Sequence, residues 1–158
     1  MLPEPSSAPL LNDKLLPRDT RRALPIALLR AREAIMRLYR PVFRAYDVTE
    51  PQWRVMRALQ EETPLDASEV SKRTCLQLPS LTRIFKTLDE RGFISRKRDA
   101  GDARKLVLAL TPSGLTLLCK LTPDAENADS QLERKFGRQR IEHLLELLGS
   151  FVKLGALR

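Results

Sequence analysis

Cysteine and histidine are scarce in this chain of 158 residues, which holds two of the former, Cys75 and Cys119, and one of the latter, His143. Two thiols far apart in sequence make no disulfide framework, and with a single histidine they make no convincing zinc site, so neither metal nor cofactor is expected. Glycine is sparse too, with six residues placed singly. There is no glycine-rich phosphate loop, no nucleophile elbow and no histidine pair at helical spacing, so no enzyme is expected. No apolar run reaches the roughly 18 residues of a membrane span, and the opening MLPEPSSAPLL lacks the basic start and apolar stretch of a secretory signal. A cytoplasmic protein without a membrane partner is expected. Charge is what the chain has in quantity: 28 Lys and Arg against 20 Asp and Glu leave +8, while 42% apolar residues suffice for an ordinary core. A polyanion is the natural first partner, nucleic acid ahead of an anionic membrane surface.

Proline divides the chain. Five of the 11 prolines fall in residues 1–25, so residues 1–22 read as a flexible arm with little to bury. From Ile26 to about Tyr46, Leu28, Ala31, Ile35, Leu38, Val42 and Tyr46 recur at three- and four-residue steps, the stripe of one amphipathic helix, with a kink expected at Pro41. Thr49 with Gln52 forms a capping box opening a second helix, and Asp66 with Glu69 opens a third over about 67–74, with Leu65 and Val70 as a hydrophobic staple. After a link of residues 75–79, Pro79 in the first turn and Leu81, Ile84, Phe85 and Leu88 mark a fourth helix stopped by Gly92, which makes a helix-turn-helix candidate. FISRKRD and RKLVLAL flank AGDA and read as a hairpin with a basic tip. Thr111 and Pro112 start a further helix, with a break or kink expected at Pro123 and an end at Gly137. Ile141, Leu144, Leu145, Leu148 and Phe151 mark the last.

Residues 83–105 hold eight Lys and Arg against four Asp and Glu, half the net charge of the chain. With the apolar set of the fourth helix facing inward, Ser80, Thr82, Arg83, Lys86 and Thr87 face outward, side chains able to meet base edges or phosphates in a major groove. A merely solvated helix face would look the same. The neighbouring hairpin, with Arg96, Lys97 and Arg98, favours the nucleic-acid reading, because it can reach the adjacent groove or backbone.

These residues resemble the winged-helix regulators of the multiple antibiotic resistance regulator (MarR) family. Asp99, Asp102, Arg104 and the following LVLALTPSG look like the family's D-x-R wing motif, strand and L-T-x-x-G helix opening. LPSLTRIFKTLDERGFISRKRD resembles its recognition helix running into the wing, and TEPQWRVMRAL its second helix. Within the family, REAIMRLYRPVF followed by the Trp-containing helix is most similar to the homoprotocatechuate-catabolism repressor type. The resemblance spans about residues 25–155, and the long Pro-rich arm departs from it.

The resemblance implies a mostly α fold with a small β-hairpin wing, a winged helix-turn-helix whose terminal helices dimerise. Residues 23–48 and 113–158 would be the dimerisation helices and 49–112 the DNA-binding domain. It also implies a homodimeric repressor on a double-stranded DNA operator, with Ser80, Thr82, Arg83 and Lys86 contacting DNA from the helix and Arg104 entering the minor groove, held by an ion pair from Asp102. A guanidinium suits a narrow, electronegative groove. Tyr39, Phe43 and Trp53 would lie near a cleft for a small aromatic carboxylate or phenol, with Arg37 and Arg40 to meet its carboxylate. The same aromatics read more readily as core, and the two arginines read equally as facing solvent or the partner subunit. Cys75, beside Leu76 and Leu78, reads as inert buried packing rather than a thiol switch, and His143 as a rim residue. A basic winged-helix module that binds protein partners instead of specific DNA is the alternative.

Overall fold

In the computed structural model the described residues are 23–155, and the Pro-rich arm expected at residues 1–22 lies outside them. The chain divides at Met36 into two units. In the first, residues from Leu24 begin α1, which runs Leu24–Ala45 and passes through Pro41 as one helix. Leu24, Leu28 and Leu29 on this part are exposed.

In the second unit, α2 (Glu50–Glu61) and α3 (Ala67–Thr74) both open with the expected capping boxes. Thr49 Oγ1 accepts from the Gln52 amide while Gln52 Oε1 accepts from the Thr49 amide, and Asp66 and Glu69 exchange the same pair of bonds. Each box satisfies two amide groups that the helix start would otherwise orphan. The link to α4 (Leu78–Glu90) is shorter than the expected residues 75–79, and Pro79, which has no amide to lose, sits in the first turn as expected. Cys75 takes a left-handed conformation at the end of α3 (φ 54) and is exposed, which corrects its reading as a buried packing residue.

Gly92 stops α4 with φ 74. The chain returns as β2 (Ile94–Arg98) and β3 (Leu106–Leu110), paired antiparallel from Ile94↔Leu110 to Arg98↔Leu106. A third strand that no periodicity announced, β1 (Leu65–Asp66), pairs Leu65 with Leu108 on the other edge of β3. Val55, Met56 and Leu59 of α2, Val70 of α3, Leu81, Phe85 and Leu88 of α4, and Leu65, Ile94 and Leu108 of the sheet form one core. Burial of each such aliphatic side chain contributes about 1.5 to 3 kcal/mol.

Thr111 starts α5 (Pro112–Phe136) by capping the Gly114 amide, and its hydroxyl donates to the Gly92 carbonyl at 2.6 Å. A Cβ on Gly114 would run into the Phe93 carbonyl oxygen. The glycine of the L-T-x-x-G sequence is therefore demanded by the close approach of α5 to the backbone just before β2. α5 continues through Pro123, so the break considered there is absent. Gly137 (φ 94) separates it from α6 (Arg138–Gly155), on which no residue is buried. Among the described residues, no helix is long and apolar enough to cross a membrane.

Candidate nucleic-acid interface

α4 turns Leu81, Phe85 and Leu88 inward, and Ser80, Thr82, Arg83 and Lys86 are exposed on the remaining surface. Arg83 makes no ion pair among the described residues, and Lys86 reaches Glu90 only at 3.8 Å across an exposed helical turn, a contact that yields easily to a phosphate. Thr87 departs from the expected outward set: it is half-buried, and its hydroxyl donates back to the Arg83 carbonyl at 3.1 Å.

Strand alternation sorts the three basic residues of β2. Ile94, Arg96 and Arg98 share one face and Lys97 takes the other. Because Ile94 is buried in the core, Arg96 leaves the strand on the side of α4, and its Nε meets Asp89 Oδ2 at 2.8 Å. Arg98 donates to the Ala103 carbonyl at 2.6 Å and closes the hairpin tip. Lys97 is exposed with no ion pair among the described residues.

Two carboxylates shape the tip between the strands. Asp99 Oδ1 accepts from the amides of Gly101 (2.8 Å) and Asp102 (2.9 Å). Asp102 Oδ1 accepts from the backbone amide of Arg104 at 3.0 Å. The expected Asp102–Arg104 ion pair is thus replaced by a bond to the main chain, because an aspartate two residues before an amide closes a local turn more readily than it reaches the end of a long side chain. The turn fixes the Arg104 backbone and leaves its guanidinium exposed.

Sequence reasoning missed Arg91. Its Nη1 donates to the Asp47 carbonyl at 2.6 Å, its Nη2 lies 3.4 Å from the Asp47 carboxylate, and its guanidinium stands 4.8 Å from the centre of the Phe93 ring. It joins the α1–α2 corner to the end of α4 and the start of the wing. No local pattern signals a partner 44 residues away.

The residues considered for a small ligand fall into separate groups. Tyr39, Phe43 and Trp53 form a ladder, with ring centroids 6.3 and 5.2 Å apart. Phe43 is buried and Trp53 half-buried. Trp53 lines a cavity of about 240 Å³ together with Arg54, Arg57, Ala58, Glu61, Arg73 and Thr74. Arg37 instead lines a different cavity of about 360 Å³ between α1 and α5, with Pro41, Asp124, Asn127 and Gln131. Arg40 is half-buried on α1. The Tyr39 hydroxyl donates to Asp129, and burial, followed by that bond and the carboxylate's charge, holds its ionisation well above the usual tyrosine range. Tyr46 donates to Asp124 and to the Lys120 carbonyl, both at 2.8 Å, and the Asp124 bond is the main cause of its raised pKa. Arg57 was visible in principle, since it lies four residues after Trp53 and therefore on its face of α2. Among the described residues, no three His, Cys, Asp or Glu side chains gather to hold a metal ion.

The MarR family model matches residues 48–106, which run from the corner before α2 to the first residue of β3. The chain is 37% identical over 136 residues to the homoprotocatechuate degradative operon repressor of Escherichia coli, covering 86% of this chain and 92% of that protein. It is 32% identical over 129 residues to the HTH-type transcriptional regulator FarR of Neisseria gonorrhoeae, covering 82% and 88%. The crystal structure of NadR in complex with 4-hydroxyphenylacetate superposes with a TM-score of 0.78 at 30% identity, covering 86% of this chain and all of the other. With the helix-turn-helix, the wing and identity to known regulators along most of its length, the chain belongs to the MarR family of winged-helix transcriptional regulators.

Proposed function

We propose that this regulator is a cytoplasmic, non-enzymatic repressor that binds a double-stranded DNA operator as a homodimer and is released by a small aromatic carboxylate or phenol. The observation that carries the DNA reading is the pairing of an exposed polar and basic face on α4, with Ser80, Thr82, Arg83 and Lys86, with the exposed Lys97 and Arg104 of the wing. The helix suits a major groove and Arg104 the adjacent minor groove. Arg96, Arg98 and Asp102 serve by holding the wing, and Thr87 by closing the helix backbone.

The cavity beside Trp53 supports the effector reading. An indole face offers an aromatic wall, and Arg57 and Arg73, paired with Glu61 and Glu62 on exposed surface, are cations that can exchange those partners for a ligand carboxylate. NadR was crystallised with 4-hydroxyphenylacetate, and the Escherichia coli relative is named as the repressor of a homoprotocatechuate degradative operon. Phe43 backs Trp53, whereas Tyr39 is committed to Asp129, and Arg37 lines the other cavity.

The test begins by selecting a preferred duplex from random sequences with the purified protein, then titrates hydroxylated phenylacetates, benzoates and cinnamates against the complex. Release by at least one compound, abolished in Trp53→Ala and weakened in Arg57→Ala, is expected. A tenfold loss of DNA affinity needs about 1.4 kcal/mol of coupling. If no compound shifts the affinity, Trp53 is core and the signal lies elsewhere. A module that binds only protein partners would show no preferred duplex and no steep fall of binding with salt.

A further inference from the structure

We infer that Arg54 is a positioning residue for DNA recognition, a clamp from α2 that fixes the turn of the helix-turn-helix and with it the direction in which α4 leaves α3. The inference rests on reading the chain as a DNA-binding regulator. Arg54 Nη1 donates to the Thr74 carbonyl at 2.6 Å, and Thr74 is the last residue of α3. A helix end leaves its last carbonyls without amide partners, and this one receives a charged donor. Thr74 is itself buried, with its hydroxyl donating to the Val70 carbonyl at 2.6 Å.

Immediately beyond, Cys75 turns left-handed and the Ser71 hydroxyl donates to the Leu76 carbonyl at 2.6 Å. The turn is therefore held at two points, at its start by Arg54 of α2 on the Thr74 carbonyl and within it by Ser71 of α3 on the Leu76 carbonyl. On α2, Arg54 Nε lies 3.6 Å from Glu50 Oε1, one helical turn back. That nitrogen is buried without a hydrogen bond, so the guanidinium accepts an incomplete set of partners in order to reach Thr74. Arg54 is the only side chain that donates from α2 to this carbonyl among the described residues. It lies on the wall of the Trp53 cavity, whose lining comes from α2 and α3 and includes no residue of α4.

The test compares the wild-type protein with Arg54→Met and Arg54→Lys. Binding to the duplex selected by the wild type and to a random duplex is measured by fluorescence anisotropy at two salt concentrations, with thermal melting alongside. Arg54→Met is expected to lower the preference for the selected duplex about tenfold, the effect of roughly one mismatched base pair. Affinity for the random duplex and the salt slope stay at wild-type values, since Arg54 meets no phosphate. Arg54→Lys, which keeps the charge but not the fork, should fall between. A simple loss of folding would depress both duplexes together.

An unchanged preference, an equal loss on both duplexes in a folded variant, or a salt slope reduced by about one would each overturn the inference. If Arg54→Met does not fold, Arg54→Lys decides, and a wild-type preference in that variant overturns the inference. A wild type that selects no duplex overturns the DNA-binding reading and the inference with it. A selective wild type with an equally selective Arg54→Met overturns the inference alone.

Discussion

Of the basic side chains around α4 and the wing, those with internal partners and those without should behave differently on DNA. Arg83 is exposed on the recognition helix without an ion pair among the described residues, so Arg83→Ala should cost roughly 1 to 3 kcal/mol on the preferred operator and relax its selectivity. Lys97, on the outer face of β2, should act on every duplex alike, and Lys97→Ala should lower the salt slope by about one, as read from binding at several salt concentrations. Arg96 belongs with neither. It is paired with Asp89 at 2.8 Å, so its expected effect on DNA binding comes from holding the wing to α4. Arg96→Ala and Asp89→Ala should then weaken operator binding by similar amounts, and the double variant by no more than either. If Asp89→Ala strengthened binding while Arg96→Ala weakened it, Arg96 would be a direct phosphate contact that Asp89 restrains.

At the scale of elements, the junction between the wing and α5 allows little movement. Gly114→Ala puts a methyl group into the Phe93 carbonyl, and backbone cannot yield as a flexible side chain does, so a loss of about 1 to 3 kcal/mol or more is expected in denaturant melts. Gly149→Ala, in α6 with open space around it, should be neutral or gain up to about 1 kcal/mol. The α1–α5 seam should respond to alkali. The unfolded chain loses the Tyr39 proton near pH 10 while the folded chain keeps it, so the stabilisation is whole below pH 10 and shrinks as pH rises above it. Tyr39→Phe should be less stable at pH 7 and show a shallower decline above pH 10; a parallel decline would mean that the Asp129 bond contributes nothing. The helices of this fold were legible because their signals are local: Thr49 with Gln52 and Asp66 with Glu69 carry their caps within four residues. β1 was not, since two residues show no alternation. Cys75 was misread because apolar neighbours say nothing of a residue turned left-handed at a helix end. Arg37 and Tyr39, two apart on a helix, face nearly opposite ways and cannot share one pocket wall. The Arg54–Thr74 and Arg91–Asp47 contacts join distant segments, which no spacing rule reads.

The whole molecule is set by what α6 leaves uncovered. Leu145, Phe151, Val152 and Leu154 are all more than half exposed, and the helix buries no residue of its own. A helix so apolar gains its stability from packing rather than propensity, and a patch of this kind marks an interaction surface. A second copy related by a two-fold axis would cover it and present two α4 helices to half-sites about one DNA turn apart. Sedimentation should then give twice the 18.0 kDa of the chain at micromolar concentration. Leu145→Glu with Phe151→Glu should give monomers that bind the full operator about as weakly as the wild type binds a single half-site, with the loss of avidity on the order of 100-fold or more. Spacing offers a second check. Inserting about five base pairs between the half-sites turns one of them to the opposite side of the duplex, where a rigid dimer cannot follow. Wild-type binding should fall to the half-site level while the double variant is indifferent to the insertion. Equal sensitivity in both proteins would mean that the recognition helices stay paired without this face, and that the exposed face of α6 serves another partner.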